Sequence, residues 1–190
     1  PANSDNCPSK AFTDRPDRGW YHESVDYVLE TGLMNGMGKG KFEPDTTLNR
    51  AMVATVLYRL SGDKVSATNA FPDVPANEWY GEAVAWAQQK GIVMGFEDGT
   101  FRPCATITRE EAAAMLNRLY KILGGTQTEE SRERYADDAQ FGAWSRDSIY
   151  AMREIGIMKG EENNAFHPAG GYTGEQALVT MERLYNKLHQ

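Results

Sequence analysis

No stretch of the chain approaches the ~20 consecutive apolar residues that a membrane-crossing helix requires, which excludes a helical membrane span. The sequence opens at Pro1 with no charged lead and apolar segment, so no secretory signal is visible. A mature secreted chain would lack one too, so secretion stays open. Basic residues are the minority, 20 Lys and Arg against 27 Asp and Glu, for a net charge of −7. Without a basic stripe to replace phosphate counterions, nucleic acid is excluded as a partner. The same balance disfavours long-range attraction to any anionic polymer, which would have to be held by short-range contacts. Cysteine is scarce: Cys7 and Cys104 form neither a CxxC pair nor a zinc pattern. The three histidines, His22, His167 and His189, sit at non-equivalent positions beside no nucleophile motif. Glu97-Asp98-Gly99 is too short for a calcium loop. The sequence therefore reads as no enzyme, with no cofactor and no metal site.

What the chain does have is 41% hydrophobic residues, enough for a packed core, and a strong internal repeat. Phe12-Thr13-Asp14 recurs as Phe71-Pro72-Asp73 and, more loosely, as Tyr135-Ala136-Asp137. Trp20, Trp79 and Trp144 are each followed 12 residues later by Gly32, Gly91 and Gly156, and four further on by Gly36, Gly95 and Gly160. Phe42-Glu43-Pro44, Phe101-Arg102-Pro103 and Phe166-His167-Pro168 come next. Arg59, Arg118 and Arg183 close the three repeats, each 39 residues after its Trp.

Each repeat reads as helix, turn, helix. The first helix carries Val25 and Val28, Val84 and Ala87, or Ile149 and Met152 on one face, and ends at the first glycine in the left-handed position. Lys39-Gly40, Asp98-Gly99 and Asn163-Asn164 then tolerate the positive φ of a tight turn into a short extended Phe-x-Pro segment. The second helix opens at Asn49, Thr108 or Thr173, all good N-caps. Thr108 with Glu111 and Thr173 with Gln176 spell capping boxes, whereas Asn49 with Met52 does not. Its apolar stripe, Val53, Val56, Leu57 and Leu60 in repeat one, has the spacing of one buried face. A single repeat buries too little surface to be stable alone. Residues 11–61, 70–120 and 135–187 are therefore expected to form one cooperative, mainly α, pseudo-threefold domain. In it the helices near 50–61, 109–120 and 174–186 pack centrally, and 62–70 and 121–134 serve as surface connectors.

The order Phe-x-Asp, Trp-Tyr, Gly-Ile-Val-Met-Gly, Asp-Gly-Thr-Phe-x-Pro, Ile-Thr-Arg-Glu-Glu resembles the signature of the surface-layer homology family, and repeat two carries it almost complete. The resemblance spans roughly residues 11 to 187. It implies three helix-loop-helix repeats in a three-armed spindle around a central three-helix bundle. It also implies an extracellular module of the cell wall or S-layer, fused to a larger surface protein. Such modules bind secondary cell-wall polysaccharide, commonly through pyruvylated N-acetylmannosamine, in grooves where the Thr-Arg-x-Glu arginine meets the acidic sugar. Repeat one keeps Arg50 but loses the glutamate, and repeat three has Gly174 in place of the arginine. The groove receiving Arg109 is thus expected to be principal, that of Arg50 secondary, and that at Gly174 weak. A self-assembly or protein–protein module on the same scaffold is the alternative. In an oxidising extracellular setting, Cys7 and Cys104 are also candidates for a disulfide.

Each candidate has a plainer reading beside it. Arg50 and Arg109 open a helix, where a cation is locally unfavourable and an anion would gain from guanidinium and free backbone N–H groups together. The plainer reading is a solvated arginine or a surface ion pair. Trp20, Trp79 and Trp144 can stack on sugar, but a large aromatic ahead of a helix is more often core, and core or shared duty is the better reading. Asp14, Asp73 and Asp137 either hold sugar hydroxyls or fix a turn, and both readings stand. Gly36 and Gly95 are structural first, with backbone open to a ligand; Thr108 and Glu111 are caps first and ligand contacts second. Arg59, Arg118 and Arg183 complement the dipole of the last helical turn and read as structural.

Overall fold

The computed structural model describes residues 12–14, 22–35, 41, 43–64, 68, 71–126 and 133–189. Among these residues six α-helices carry the fold: α1 His22–Glu30, α2 Arg50–Ser61, α3 Gly81–Gln89, α4 Arg109–Ile122, α5 Arg146–Glu154 and α6 Gly174–Leu188. No named strand occurs among the described residues. Among the described residues, isolated antiparallel bridges pair Thr47 with Thr173, Asn49 with Thr106 and Thr108 with Gly171, just ahead of the even-numbered helices.

The local expectations hold where they can be seen. Gly32, Gly91 and Gly156 follow α1, α3 and α5 with φ of 70°, 69° and 77°, and Gly99, Asn163 and Asn164 also have positive φ. Asn49, Thr108 and Thr173 each accept the N–H three residues on, as N-caps. The Thr108–Glu111 box is complete. The Thr173–Gln176 box is not, because the Gln176 side chain turns instead toward Glu161. The Phe-x-Pro segment is likewise less extended than expected: Glu43, Arg102 and His167 have φ of 53°, 58° and 56°. That left-handed bend turns backbone N–H groups toward one carboxylate. Asp73 accepts from Phe101 N at 2.9 Å and Arg102 N at 2.7 Å, and Asp137 accepts from Phe166 N and His167 N in the same way. Asp14 accepts from Glu43 N at 2.8 Å.

The repeats interlock in a cycle. Leu48 N donates to Tyr172 O, Tyr172 N to Ile107 O, and Ile107 N to Leu48 O, which closes a three-membered ring of backbone bonds at 2.9–3.0 Å. All three residues are buried, so this ring satisfies backbone groups that water cannot reach. Around it, the first two N–H groups of each even-numbered helix donate to the Phe-x-Pro loop of another repeat. Arg50 and Ala51 reach Ala105 and Pro103, Arg109 and Glu110 reach Gly170 and Pro168, and Gly174 and Glu175 reach Thr46 and Pro44.

Helix packing follows the same stagger. The first helix of each repeat lies on the second helix of the preceding one: α3 on α2, α5 on α4, and α1 on α6. Trp86 is fully buried in the first of these lobes, beside Tyr58, with its indole N–H on Asp63 at 2.8 Å. Asn117 bonds Ser148 in the second, and Ser24 bonds Glu182 in the third. Among the central helices, α2 packs directly on α4. Helix α6 joins through the ring and through Ala177, Leu178 and Met181, which belong to the same core cluster. Because each lobe borrows from two repeats, no repeat can unfold without opening two lobes. The expected outcome is one thermal transition, with helicity and tryptophan fluorescence changing at a single midpoint. Two resolved transitions would contradict a single cooperative domain.

Candidate functional site: grooves between the repeats

Among the described residues, two grooves open where the start of one even-numbered helix meets the glycine-bounded loop of the next repeat. The first encloses about 220 Å³ and is lined by Arg50, Met94, Gly95, Phe96, Glu111 and Trp144, with Val93, Ala114, Met115 and Arg118 behind them. The second encloses about 280 Å³ between Arg109, Met158, Lys159, Glu161, Glu175, Gln176, Val179, Thr180 and Arg183. Both are smaller than the roughly 300–1,000 Å³ of a drug-sized pocket.

The arginines are neither solvated nor in surface pairs. Arg50 is 6% exposed and Arg109 5%. Arg50 Nε donates to Phe101 O at 2.9 Å and Nη1 to Glu111 Oε1 at 2.7 Å, while Nη2 lies 3.4 Å from Met94 O. The guanidinium sits 4.8 Å from the ring centroids of both Phe96 and Phe101. Arg109 repeats the pattern, with Nε to Phe166 O at 2.8 Å, Nη2 to Lys159 O at 3.1 Å and the Phe166 ring at 4.7 Å. Its carboxylate neighbour is Glu161, 3.6 Å from Nη1. Burial lowers the pKa of both guanidiniums, opposed by Glu111 in one groove and Glu161 in the other. Of the five N–H donors on each arginine, Arg50 commits three and Arg109 two to these hydrogen bonds. Each therefore keeps donors for something else.

The free backbone N–H groups expected at these helix starts are not free. The loop carbonyls take the first two and the cap takes the third. An anion here must be met by side chains. The Thr-Arg-x-Glu motif of repeat two also does not stay together. Arg109 faces the second groove and Glu111 the first, where it pairs with Arg50, while Thr108 remains a cap. Repeat two's completeness therefore does not rank the grooves, because Arg109 lies against repeat three and Arg50 against repeat two.

The other candidates separate clearly. Trp79 is 60% exposed and Trp144 56%, which overturns their reading as core; what fills that role in the α2–α3 lobe is Trp86, which the repeat pattern did not single out. Trp144 forms a wall of the Arg50 groove. Gly95 lines the same groove, and a Cβ there would stand 2.6 Å from the Phe71 ring, so packing accounts for the glycine. Asp73 belongs to the backbone clasp through both carboxylate oxygens, and Asp14 joins the equivalent clasp at Glu43 N. Arg59, Arg118 and Arg183 hold Leu33 O, Ile92 O and Ile157 O, a structural tie repeated three times, yet Arg118 and Arg183 also line the grooves. Gly174 is buried, and a Cβ there would lie 3.0 Å from Pro44 O. Cys104 is exposed, whereas Trp20, Gly36 and Cys7 lie outside the described residues. Glu161, Gln176, Lys159 and Met94 were missed, although their fixed offsets from the repeat glycines and helix caps were the signal that marks them.

Comparison with known proteins agrees with this architecture. The model of the S-layer homology domain matches residues 11–52, 70–113 and 134–178. The chain is 32% identical over 183 residues to an amylopullulanase of Thermoanaerobacterium thermosulfurigenes, covering 94% of this chain and 10% of that protein. It is 29% identical over 168 residues to the surface-layer 125 kDa protein of Lysinibacillus sphaericus, covering 87% of this chain and 14% of that one. With a cellulosome-anchoring protein of Acetivibrio thermocellus it shares 34% identity over 116 residues, 58% of this chain and 26% of the relative. The chain thus spans from a tenth to about a quarter of the length of these relatives. These similarities place it outside the cell, at the cell wall or S-layer. The chain belongs to the S-layer homology domain family, as three tandem repeats closed into one ring.

Proposed function

We propose that the chain is a non-catalytic anchoring module that holds the protein carrying it to the bacterial cell wall. It does so by binding an acidic wall polysaccharide non-covalently in the grooves between repeats. The observation that carries this reading is the pair of buried arginines, each fixed by loop carbonyls and an aromatic face and each with donors uncommitted. A guanidinium held this way loses little freedom when an acid binds, so its hydrogen bonds count toward affinity. Trp144 and Met94, both largely exposed, offer the Arg50 groove an apolar wall for a sugar face or methyl substituent. The net charge of −7 fits contact recognition rather than long-range attraction.

The relatives support attachment over catalysis. Similar repeats occur in a glycan-degrading enzyme by name, in a surface-layer protein and in a cellulosome-anchoring protein, which share no single activity. The pyruvylated N-acetylmannosamine implied by the family resemblance is the candidate sugar. The test is a pull-down on purified bacterial sacculi before and after removal of the secondary polymer. The chain is expected to be retained by intact sacculi and released once the polymer is stripped. Full retention on stripped sacculi would overturn the reading and favour a different wall component or a protein partner.

A further inference from the structure

The Gly142 N–H and the Ser145 hydroxyl, both in the turn ahead of α5, donate to one atom, Glu110 Oε2 on α4, at 3.1 Å and 2.7 Å. Ser145 is fully buried, so its hydroxyl needs a partner within the protein. The Gly142 carbonyl lies 3.0 Å from the same hydroxyl, but the nearer, charged acceptor makes the stronger bond. Trp144 sits inside this clasped turn, 56% exposed, as a wall of the Arg50 groove. Its indole rests over Gly142, where a Cβ would stand 2.6 Å from the ring Nε1. Repeat two is built differently. There Ala51, Asn77 and Tyr80 stand at the positions of Glu110, Gly142 and Ser145. Ala51 offers that turn no carboxylate, and Trp79 leans edge-on against Tyr80 at 5.2 Å. The fold of repeat two stands without the carboxylate clasp, so the clasp of repeat three is not a requirement of the architecture.

We propose that Glu110 is a positioning residue for the Arg50 groove: by clasping the Gly142–Ser145 turn it holds the Trp144 indole over Gly142 as a fixed wall. An exposed tryptophan on an unclasped turn samples several rotamers and must be ordered at each binding event, which weakens affinity. Clasped, the ring is ordered beforehand. This role rests on the carbohydrate reading above and deepens it, since it accounts for a solvent-exposed aromatic kept in place beside a buried arginine. The ligand surface that such a wall takes is the C–H face of a sugar ring, which an aromatic plane covers. Neighbouring residues of α4 thereby serve different grooves. Arg109 lines one, while Glu111 directly and Glu110 through Trp144 serve the other.

Glu110→Ala opens the clasp from one side, and Ser145→Ala, the milder change, removes only a buried hydroxyl from the other. Glu110→Gln is the conservative variant: both bonds fall on one oxygen, which an amide also supplies, so the turn should stay clasped. The first readout needs no ligand. In protein labelled with fluorotryptophan, the fluorine resonance of Trp144 is identified by its loss in Trp144→Phe. It is expected to shift and narrow in Glu110→Ala, to shift less in Ser145→Ala, and to hold its place in Glu110→Gln. The second readout is calorimetric titration with polysaccharide fragments acid-released from bacterial cell walls. Glu110→Ala should weaken the Arg50 groove roughly two- to tenfold, the cost of ordering one side chain on binding, and leave the Arg109 groove unchanged. Trp144→Ala should weaken the Arg50 groove at least as much, and Glu110→Gln should restore it. An unmoved Trp144 resonance in Glu110→Ala, or in Ser145→Ala where the first variant fails to fold, overturns the proposal and leaves the carbohydrate reading standing. A moved resonance with wild-type affinity overturns it too, because the position of the ring then has no bearing on binding. Wild-type affinity in Trp144→Ala does the same. Failure of the unmodified protein to bind any fragment overturns the carbohydrate reading itself, whatever the resonance shows.

Discussion

Asp73→Ala is expected to lower the stability of the whole domain by about 3 kcal/mol, a fall of roughly 6–12 °C in melting temperature for a chain of this size. The carboxylate accepts two backbone N–H groups, Phe101 at 2.9 Å and Arg102 at 2.7 Å, and hydrogen bonds to a charged acceptor contribute about 1.5–3 kcal/mol each. Since Asp73 is only half-buried, the lower end of that range applies. The bonds also hold Arg102 at a φ of 58°, where a non-glycine residue stays only if its surroundings insist. Phe101, wholly buried, gives its carbonyl to Arg50, so loosening the clasp loosens the floor of a groove. Asp73→Asn should recover less than half of the loss, because its amide nitrogen would face a backbone N–H. Thermal melts of the three proteins check this. If Asp73→Ala melts within 2 °C of wild type (about 0.5–1 kcal/mol at this size), the clasp does not hold the segment, and the sugar-hydroxyl reading of this aspartate returns.

The contrast between clasp and groove shows what the sequence could reveal. Much that is local was legible: the glycines at left-handed helix ends, the caps at Asn49, Thr108 and Thr173, and the complete box at Glu111, though not the open Thr173–Gln176 box or the left-handed bend within Phe-x-Pro. Each legible feature depends on a few neighbouring residues whose chemistry is written in order along the chain. The clasp was half legible. Asp and Phe-x-Pro both recur, but their offset of about 29 residues says nothing about contact until the intervening helix folds back.

The grooves were illegible for a different reason. Repetition makes the three repeats look like three objects, whereas the helices pack in a stagger, with α1 closing onto α6 at the other end of the chain. That stagger parts Arg109 from Glu111 and gives each a partner from another repeat. A periodic sequence cannot say whether a motif completes its own site or its neighbour's, because both arrangements share one repeat length. The exposed tryptophans misled for a related reason. Trp79 and Trp144 are apolar enough for a core, but Trp86, within α3 itself, already fills the α2–α3 lobe.

The stagger also decides how the arginine variants should behave. Arg50→Ala and Arg109→Ala each empty a different groove, so titration of a short wall-polysaccharide fragment should show one site lost per variant. A uniform weakening of all sites is not expected. Each charge-assisted bond to a sugar acid contributes about 1.5–3 kcal/mol, roughly ten- to a hundredfold in affinity, so each variant should weaken its own groove by that factor and the double variant should weaken both. Truncating Arg50 also leaves the Glu111 carboxylate without its cation and Phe101 O without its donor, which costs stability as well as binding. Arg50→Lys and Arg109→Lys guard against that confusion. Lysine keeps the charge but cannot hold a loop carbonyl and present a fork at once, so affinity should fall while the fold persists. Melting curves taken beside the titrations confirm that each variant is folded at the assay temperature. If the folded double variant binds the fragment as the wild type does, the arginines are scaffold, and the module holds its partner through some other surface.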